Sequence, residues 1–340
     1  MGQALASAHY LVFGLLYDQL FAKLRPTYAD LAGRTYLITG SNSGLGLAIA
    51  VHLARLNPQR LILAVRSLDK GAAAKTEIVS QTGFSGDIDV WELDMESFAS
   101  VKQFAERART SLTRLDGAIL NAGIHAKEWG VTGDGWERVL QVNILSTGLL
   151  GVLLLPLLQK TTRLPAPKPN ASPQVLPHLT ITGSGAQFRA RFAAKTAPSI
   201  LQAMNTPHPS IKSDRYESSK LFNLFLAREI AQLHQAEGVV VNVVHPGLVL
   251  SDIGRDYNFG PFVMLFWRWL GWTPAEGSLN LLYGVLSPTP PGAYIRTCQV
   301  HPPPAWVTTK AGAHVQKRVW NEMVEVWGQI SPEIDSIVRS

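Results

Sequence analysis

From Arg34 onward, short runs of aliphatic and β-branched residues alternate with longer stretches in which apolar residues recur every three or four positions. The short runs fall at Thr35–Thr39, Leu61–Val65, Asp87–Leu93, Gly117–Leu120, His178–Thr182 and Val239–Val244. Helical stretches follow the first three, to Leu56, through Val79 and beyond Leu93. Successive runs are far enough apart for a crossover helix, which parallel strands require. The pattern therefore predicts an α/β fold built on a parallel sheet of at least six strands, and the length alone permits one domain or two.

Three stretches break this rhythm. Thr161–Pro177 carries Pro165, Pro167, Pro169, Pro173 and Pro177 and reads as an exposed loop. Gln187–Asp214 is longer than an ordinary connection and reads as a lid or binding segment. Tyr257–Trp272 is dense in aromatics: Phe259, Phe262, Phe266, Trp267, Trp269 and Trp272. Three readings of it stand: an apolar pocket lining, a helix dipping into a membrane surface, and core packing.

Ahead of the sheet, Tyr10, Phe13, Tyr17, Leu20, Phe21 and Leu24 recur at helical spacing before Pro26. They predict an amphipathic helix in an N-terminal extension over residues 1–29, either packed on the domain or lying on a membrane. The apolar run Tyr10–Tyr17 falls well short of the roughly 20 residues that span a bilayer. No basic leader or cleavage site accompanies it, and Ala6 stands where a myristoylation signal after Gly2 needs Ser or Thr.

Composition adds bounds. Of 340 residues, 46% are hydrophobic and 16% charged, enough apolar material for a large core. The net charge of +6 is spread without a basic block, which points away from nucleic acid and suits an anionic cofactor. The lone Cys298 excludes an intrachain disulfide and a Cys-rich metal site, and fits a cytoplasmic, reducing setting.

Candidate chemistry begins at Thr39-Gly40-Ser41-Asn42-Ser43-Gly44-Leu45-Gly46, between a strand and a helix. Gly40 permits a sharp turn, Gly44 leaves room for a pyrophosphate, and Gly46 lets the helix approach the sheet; the helix N-terminus then offers free N–H groups to phosphates. An ordinary βα turn is the alternative. At the second strand end, where an NAD enzyme carries a carboxylate, the chain reads Ala64-Val65-Arg66-Ser67. Arg66 and Ser67 there favour a 2′-phosphate, hence NADP(H), unless Arg66 is simply solvated. Asp94 either accepts from an adenine amino group or caps the next helix. Asn121-Ala122-Gly123 lets the backbone pass close to a cofactor, or makes a tight turn.

In Tyr216-Glu217-Ser218-Ser219-Lys220 a spacing of four puts a phenol and an ammonium on one helical face. A phenol titrates near pH 10, and a neighbouring ammonium lowers that value, so the pair can act as an acid and its tuner.

In this order, and with His245-Pro246-Gly247-Leu248-Val249, these features resemble the short-chain dehydrogenase/reductase family from about Asp30 to Trp327. Leu63–Gly71 and Val315–Trp320 look like its retinol-dehydrogenase-like branch and fungal secondary-metabolism reductases. The resemblance implies a single Rossmann-fold α/β domain over residues 30–330, a doubly wound parallel sheet of about seven strands, with substrate-side cover at about 187–214 and 251–275. It implies a catalytic tetrad of Asn143, Ser184, Tyr216 and Lys220, with Asn143 kinking its helix and anchoring a water. It also implies Pro246, Gly247 and Val249 beside the nicotinamide, Ser251 near the phosphates, and a structural His245. Gly183 departs from the second serine common in the family, and Ser184 lies 32 positions before Tyr216, more than in many relatives. The implied reaction is NADPH-dependent ketone or aldehyde reduction on a lipophilic molecule, in the cytoplasm with or without peripheral membrane contact. A redox-neutral isomerase, epimerase or cyclase using the same pocket is the alternative. Monomer and homodimer both remain open.

Overall fold

The computed structural model describes residues 14–167, 176–250 and 269–339. One sheet of eight strands forms its centre: β1 (Thr35–Thr39), β2 (Arg60–Val65), β3 (Asp87–Glu92), β4 (Gly117–Leu120), β5 (His178–Thr182), β6 (Val240–Val244), β7 (Ala293–Arg296) and β8 (Gln299–His301). Their order is β3-β2-β1-β4-β5-β6-β7-β8. All neighbours pair parallel except β7 with β8. The last two strands exceed what the sequence pattern showed. They are four and three residues long, and the turn between them uses Thr297 and Cys298, both at positive φ (51° and 54°), where a hairpin usually announces itself with Asn-Gly.

Nine helices are named here: α1 (Tyr17–Phe21), α2 (Gly44–Arg55), α3 (Leu68–Thr82), α4 (Phe98–Ser111), α5 (Arg138–Thr162), α6 (Arg215–Ile230), α7 (Pro274–Leu286), α8 (Lys310–Ile330) and α9 (Glu333–Val338). Alternation along β1 explains the two layers they form. Leu37 joins a core with α4, α5, α6 and α8, whereas Tyr36 and Ile38 join one with α2, α3 and α7. The chain is still packing past residue 330, since Ile334 and Ile337 of α9 are buried.

α5 is long and apolar enough to cross a bilayer, yet 94% of its most apolar stretch is buried inside the protein, so its composition reflects a core position. Between Gln141 and Ser146 it widens into a π-helix around Asn143. Side chains satisfy carbonyls of that widened stretch: Thr147 Oγ1 donates to Val142 O (2.8 Å), Asn223 Nδ2 to Asn143 O (2.8 Å) and Trp327 Nε1 to Leu145 O (2.9 Å).

The segment 187–214 has a buried side of its own. It contains short helices Ile200–Met204 and Pro209–Lys212, and Phe192, Ile200, Leu201 and Met204 are buried. Glu322 of α8 accepts from the N–H groups of Ile200 (2.9 Å) and Leu201 (2.8 Å), tying the segment to the C-terminal helix.

At the N-terminus the described helix ends at Phe21, earlier than Pro26 requires, and its orientation inverts the expectation of an apolar packed face. Tyr17, Leu20 and Phe21 are 60%, 50% and 64% exposed, while Gln19 is buried. Tyr10, Phe13, Pro169, Pro173, Ser251, Phe259, Phe262, Phe266 and Trp267 lie outside the described residues. Trp269 is exposed and Trp272 half-buried.

Candidate active site

Strand order reverses between β1 and β4, and a crevice beyond the carboxyl ends of such strands is where an open α/β sheet binds ligands. The Gly40 and Asn121 segments meet there. Thr39 Oγ1 accepts from the N–H groups of Asn121 and Ala122 (both 2.9 Å), and Asn121 Nδ2 donates to Thr39 O (3.0 Å). Gly40 has φ +65° and Gly44 φ +54°. A Cβ on Gly46 would collide with the Gly40 carbonyl, so only glycine lets α2 start this close to β1.

A dinucleotide fits what these residues leave open. Ser43 makes no side-chain cap on α2, leaving its first-turn N–H groups for an anion. Ser41 Oγ is buried with no hydrogen-bond partner, an orphan that a phosphate oxygen would satisfy. Asn42, Ser43 and Leu45 complete the loop at intermediate or full exposure.

Arg66 and Ser67 follow β2. The Arg66 guanidinium is 67% exposed and 3.5 Å from Glu96, a carboxylate that Arg138 already holds at two points (2.6 and 3.1 Å). Ser67 Oγ caps α3 by accepting from Lys70 N–H (3.4 Å). Asp94 does not cap α4; Ser97 does, and Asp94 Oδ1 instead accepts from Glu96 N–H (2.9 Å).

The Tyr216 face of α6 meets these loops. Lys220 is buried and its Nζ donates to Thr182 O (3.0 Å), at the end of β5. Burial lowers its pKa to about 8, so it remains mostly protonated at neutral pH. Its Nζ lies 5.8 Å from the Tyr216 ring centre. A Cβ on Gly123 would stand 3.7 Å from that Nζ and 3.2 Å from Asn143 Oδ1. Asn143 Nδ2 donates to Ser219 Oγ (3.0 Å), so Gly123, Asn143, Ser219 and Lys220 form one cluster. Ser184 opens a turn, Gly185–Phe188, that packs against α6. Its Oγ accepts from Ala186 N–H (3.1 Å), which leaves the hydroxyl proton free to point elsewhere.

Just past the end of β6, His245 Nδ1 accepts from the N–H groups of Gly185 (3.0 Å) and Gly247 (3.3 Å), an arrangement of a neutral ring. Burial, with the Arg296 charge, drives its pKa down to about 3. Gly247 has φ +91° and abuts the Trp272 ring. Pro246 O, Val249 and Leu45 of the glycine loop all border Gly277 of α7, which joins this turn to the first.

Four residues with no local signal complete the site. His125 stacks on Tyr216, ring centres 4.0 Å apart and planes 23° apart. Arg215 is buried; it donates to the carbonyls of Ala126, Lys127 (2.8 Å) and Glu128 (2.9 Å) and pairs with buried Glu137 (3.4 Å). Asp214 accepts from the N–H groups of Arg191 (2.9 Å) and Phe192 (2.7 Å) and from Ser218 Oγ (2.7 Å), fastening the 187–214 segment to α6. Asn223, one turn past Lys220, holds the Asn143 carbonyl. Nothing short of the tertiary contacts identifies them. Among the described residues no three His, Cys, Asp or Glu side chains converge as a metal would need.

A model of the short chain dehydrogenase family, adh_short, matches residues 34–163. The short chain dehydrogenase/reductase dmxR8 of Cryptosporiopsis sp. is 37% identical over 332 residues, covering 95% of this chain and 99% of its own. The short chain dehydrogenase sol3 of Alternaria solani is 38% identical over 271 residues, with 79% and 91% covered. Of solved structures, a short-chain dehydrogenase from Sphingobium yanoikuyae in complex with NADPH has a TM-score of 0.54 at 21% identity, over 74% of this chain and 84% of that one. A short chain dehydrogenase from Salmonella enterica serovar Typhi has a TM-score of 0.54 at 23% identity, over 77% and 94%. The two structures share the fold.

Proposed function

This chain belongs to the short-chain dehydrogenase/reductase family, and from that premise we propose that it reduces a ketone or aldehyde on a lipophilic small molecule with NADPH, in a fungal secondary-metabolite pathway. The carrying observation is the cluster of Lys220, Asn143 and Ser219 around Gly123, one helical turn from Tyr216. Tyr216 gives its phenolic proton to the carbonyl oxygen, Lys220 stabilises the phenolate that remains, and the Ser184 hydroxyl donates a hydrogen bond to the developing alkoxide while keeping its own proton. Bound NADPH supplies the hydride. Lys220 keeps two N–H donors beyond its bond to Thr182 for the nicotinamide ribose, and the Asn143 carbonyl keeps a lone pair for a water that resupplies the proton.

Support for NADPH over NADH comes from Arg66. Its fork is mostly exposed, and Glu96, the carboxylate 3.5 Å from it, is already engaged by Arg138. Equilibrium titration tests this: NADPH should bind at least about tenfold more tightly than NADH, the loss of one charge-assisted contact. Equal binding contradicts it. Comparing metabolites with and without the functional gene identifies the substrate, and a product heavier by two hydrogens marks a reduction. Exposed Tyr17, Phe21, Tyr28 and Trp269 support peripheral contact with a membrane from the cytoplasmic side, which co-sedimentation with anionic vesicles checks.

A further inference from the structure

We propose that the N-terminal helix is part of the nicotinamide end of the cofactor site, with Gln19 as the positioning residue that holds the turn from His245 to Val249; the inference rests on the cofactor reading above. The starting observation is an inversion of burial. In α1 the apolar side chains face out and Gln19, 8% exposed, faces in, so this helix docks by hydrogen bonds.

The docking is specific. Gln19 Nε2 donates to Leu248 O (3.1 Å) and Leu270 O (3.0 Å), and Gln19 Oε1 accepts from Leu248 N–H (3.0 Å). One side-chain amide thus answers both backbone groups of Leu248, as a neighbouring strand would, and spends both its donors doing so. Leu248 O also accepts from Trp272 N–H (2.8 Å), and Leu250 N–H donates to Trp272 O (3.0 Å). Three distant pieces of chain are knotted at this residue. A second anchor, Asp18 with Arg296 (3.1 Å), fixes the helix to the end of β7.

The turn so held has little freedom of its own. Gly247 sits at φ +91°, with the Trp272 ring on the side where a Cβ would be and Gln19 Oε1 2.8 Å from that point. Pro246 and Val249 border Gly277 together with Leu45, so a shift of the turn moves backbone across the switch point from the glycine loop. Removing the Gln19 amide leaves a peptide N–H and part of two carbonyls unsatisfied, and the turn relaxes to recover them. The Arg66 and Ser67 end follows β2, on the opposite side of β1 in the sheet from β7, where Arg296 anchors α1.

That geography supplies a test independent of any substrate. Calorimetric titration of Gln19→Ala with NADPH and with adenosine 2′,5′-bisphosphate, which lacks the nicotinamide half, should show NADPH weakened on the order of tenfold. The bisphosphate should stay within about twofold of wild type, the scatter expected of an uncoupled site. Unchanged NADPH affinity, or an equal loss for both ligands, overturns the inference. If Gln19→Ala does not fold, Gln19→Glu removes the two donors while keeping the acceptor, and the same pattern is required of it. Wild-type protein that binds neither ligand overturns the cofactor reading itself, and the inference with it, a result distinct from the other two.

Discussion

The side-chain amide of Asn143 bonds both sides of Ile124, its Oδ1 accepting from the Ile124 N–H at 2.8 Å and its Nδ2 donating to the Ile124 carbonyl at 3.0 Å. The same Nδ2 reaches Ser219 on α6, so a single buried residue ties the loop after β4 to the helix of Tyr216. Asn143→Leu should lower folding free energy by about 1–3 kcal/mol, the cost of leaving such groups unsatisfied. Urea unfolding measures it, and an unchanged midpoint would show that this bonding is incidental.

Arg215 continues the same tie from the other end of the loop. Its guanidinium grips three successive carbonyls, at 126 to 128, and faces Glu137, both partners being nearly inaccessible. Removing one member of a buried pair typically costs about 3–5 kcal/mol because the other charge is stranded. Arg215→Ala should reach that range in denaturant unfolding, and Arg215→Lys should recover little, since Nη2 reaches the three carbonyls, Nη1 the Lys212 carbonyl (3.2 Å) and Nε faces Glu137, a spread that one ammonium cannot span. Full recovery by lysine would mean that charge alone matters.

Held between Asn143 and Arg215, the loop lays His125 flat on the Tyr216 ring. Aromatic pairs of this kind contribute about 0.5–1.5 kcal/mol, so His125→Ala should reduce kcat roughly three- to tenfold with NADPH affinity unchanged. His125→Phe should restore most of it. If alanine and phenylalanine behave alike, the stack does not orient the phenol.

Much of this was legible in the sequence because the signals are local. Six strands could be read from their apolar runs, and Gly40, Gly44 and Gly46 declare their loop through spacing alone. Tyr216 and Lys220 declare a shared face in the same way. β7 and β8 escaped because strands of four and three residues joined through Thr297 and Cys298 carry no turn signature. Asp94 was open to reading as a cap, but Ser97 is three residues closer to α4 and takes the role. Gln19, His125, Asp214 and Arg215 act on partners far off in the chain, Gln19 on Leu270 across 251 positions, and no local pattern encodes such a pairing.

His245 makes stability depend on acid. Its folded-state pKa, near 3, lies below the ordinary value of 6.5, so the unfolded chain binds the proton more readily. Stability should therefore be level above pH 6.5 and fall as pH drops from there towards 3, by on the order of a few kcal/mol. Buried His178, also shifted down, adds to the same window. Melting temperature against pH should show a shallower fall in His245→Asn, whose Oδ1 can accept where Nδ1 did. An identical slope would assign the acid sensitivity elsewhere.

In the proposed reaction Tyr216 delivers the proton to a carbonyl reduced by NADPH. This is tested most directly by following NADPH oxidation with the accumulated metabolite as substrate, in wild type and Tyr216→Phe, alongside NADPH titration of each. Turnover should fall by about 10²–10⁴, the usual contribution of a positioned general acid, while NADPH affinity stays within about threefold. A phenylalanine variant that still turns over at the wild-type rate would rule out Tyr216 as the proton donor.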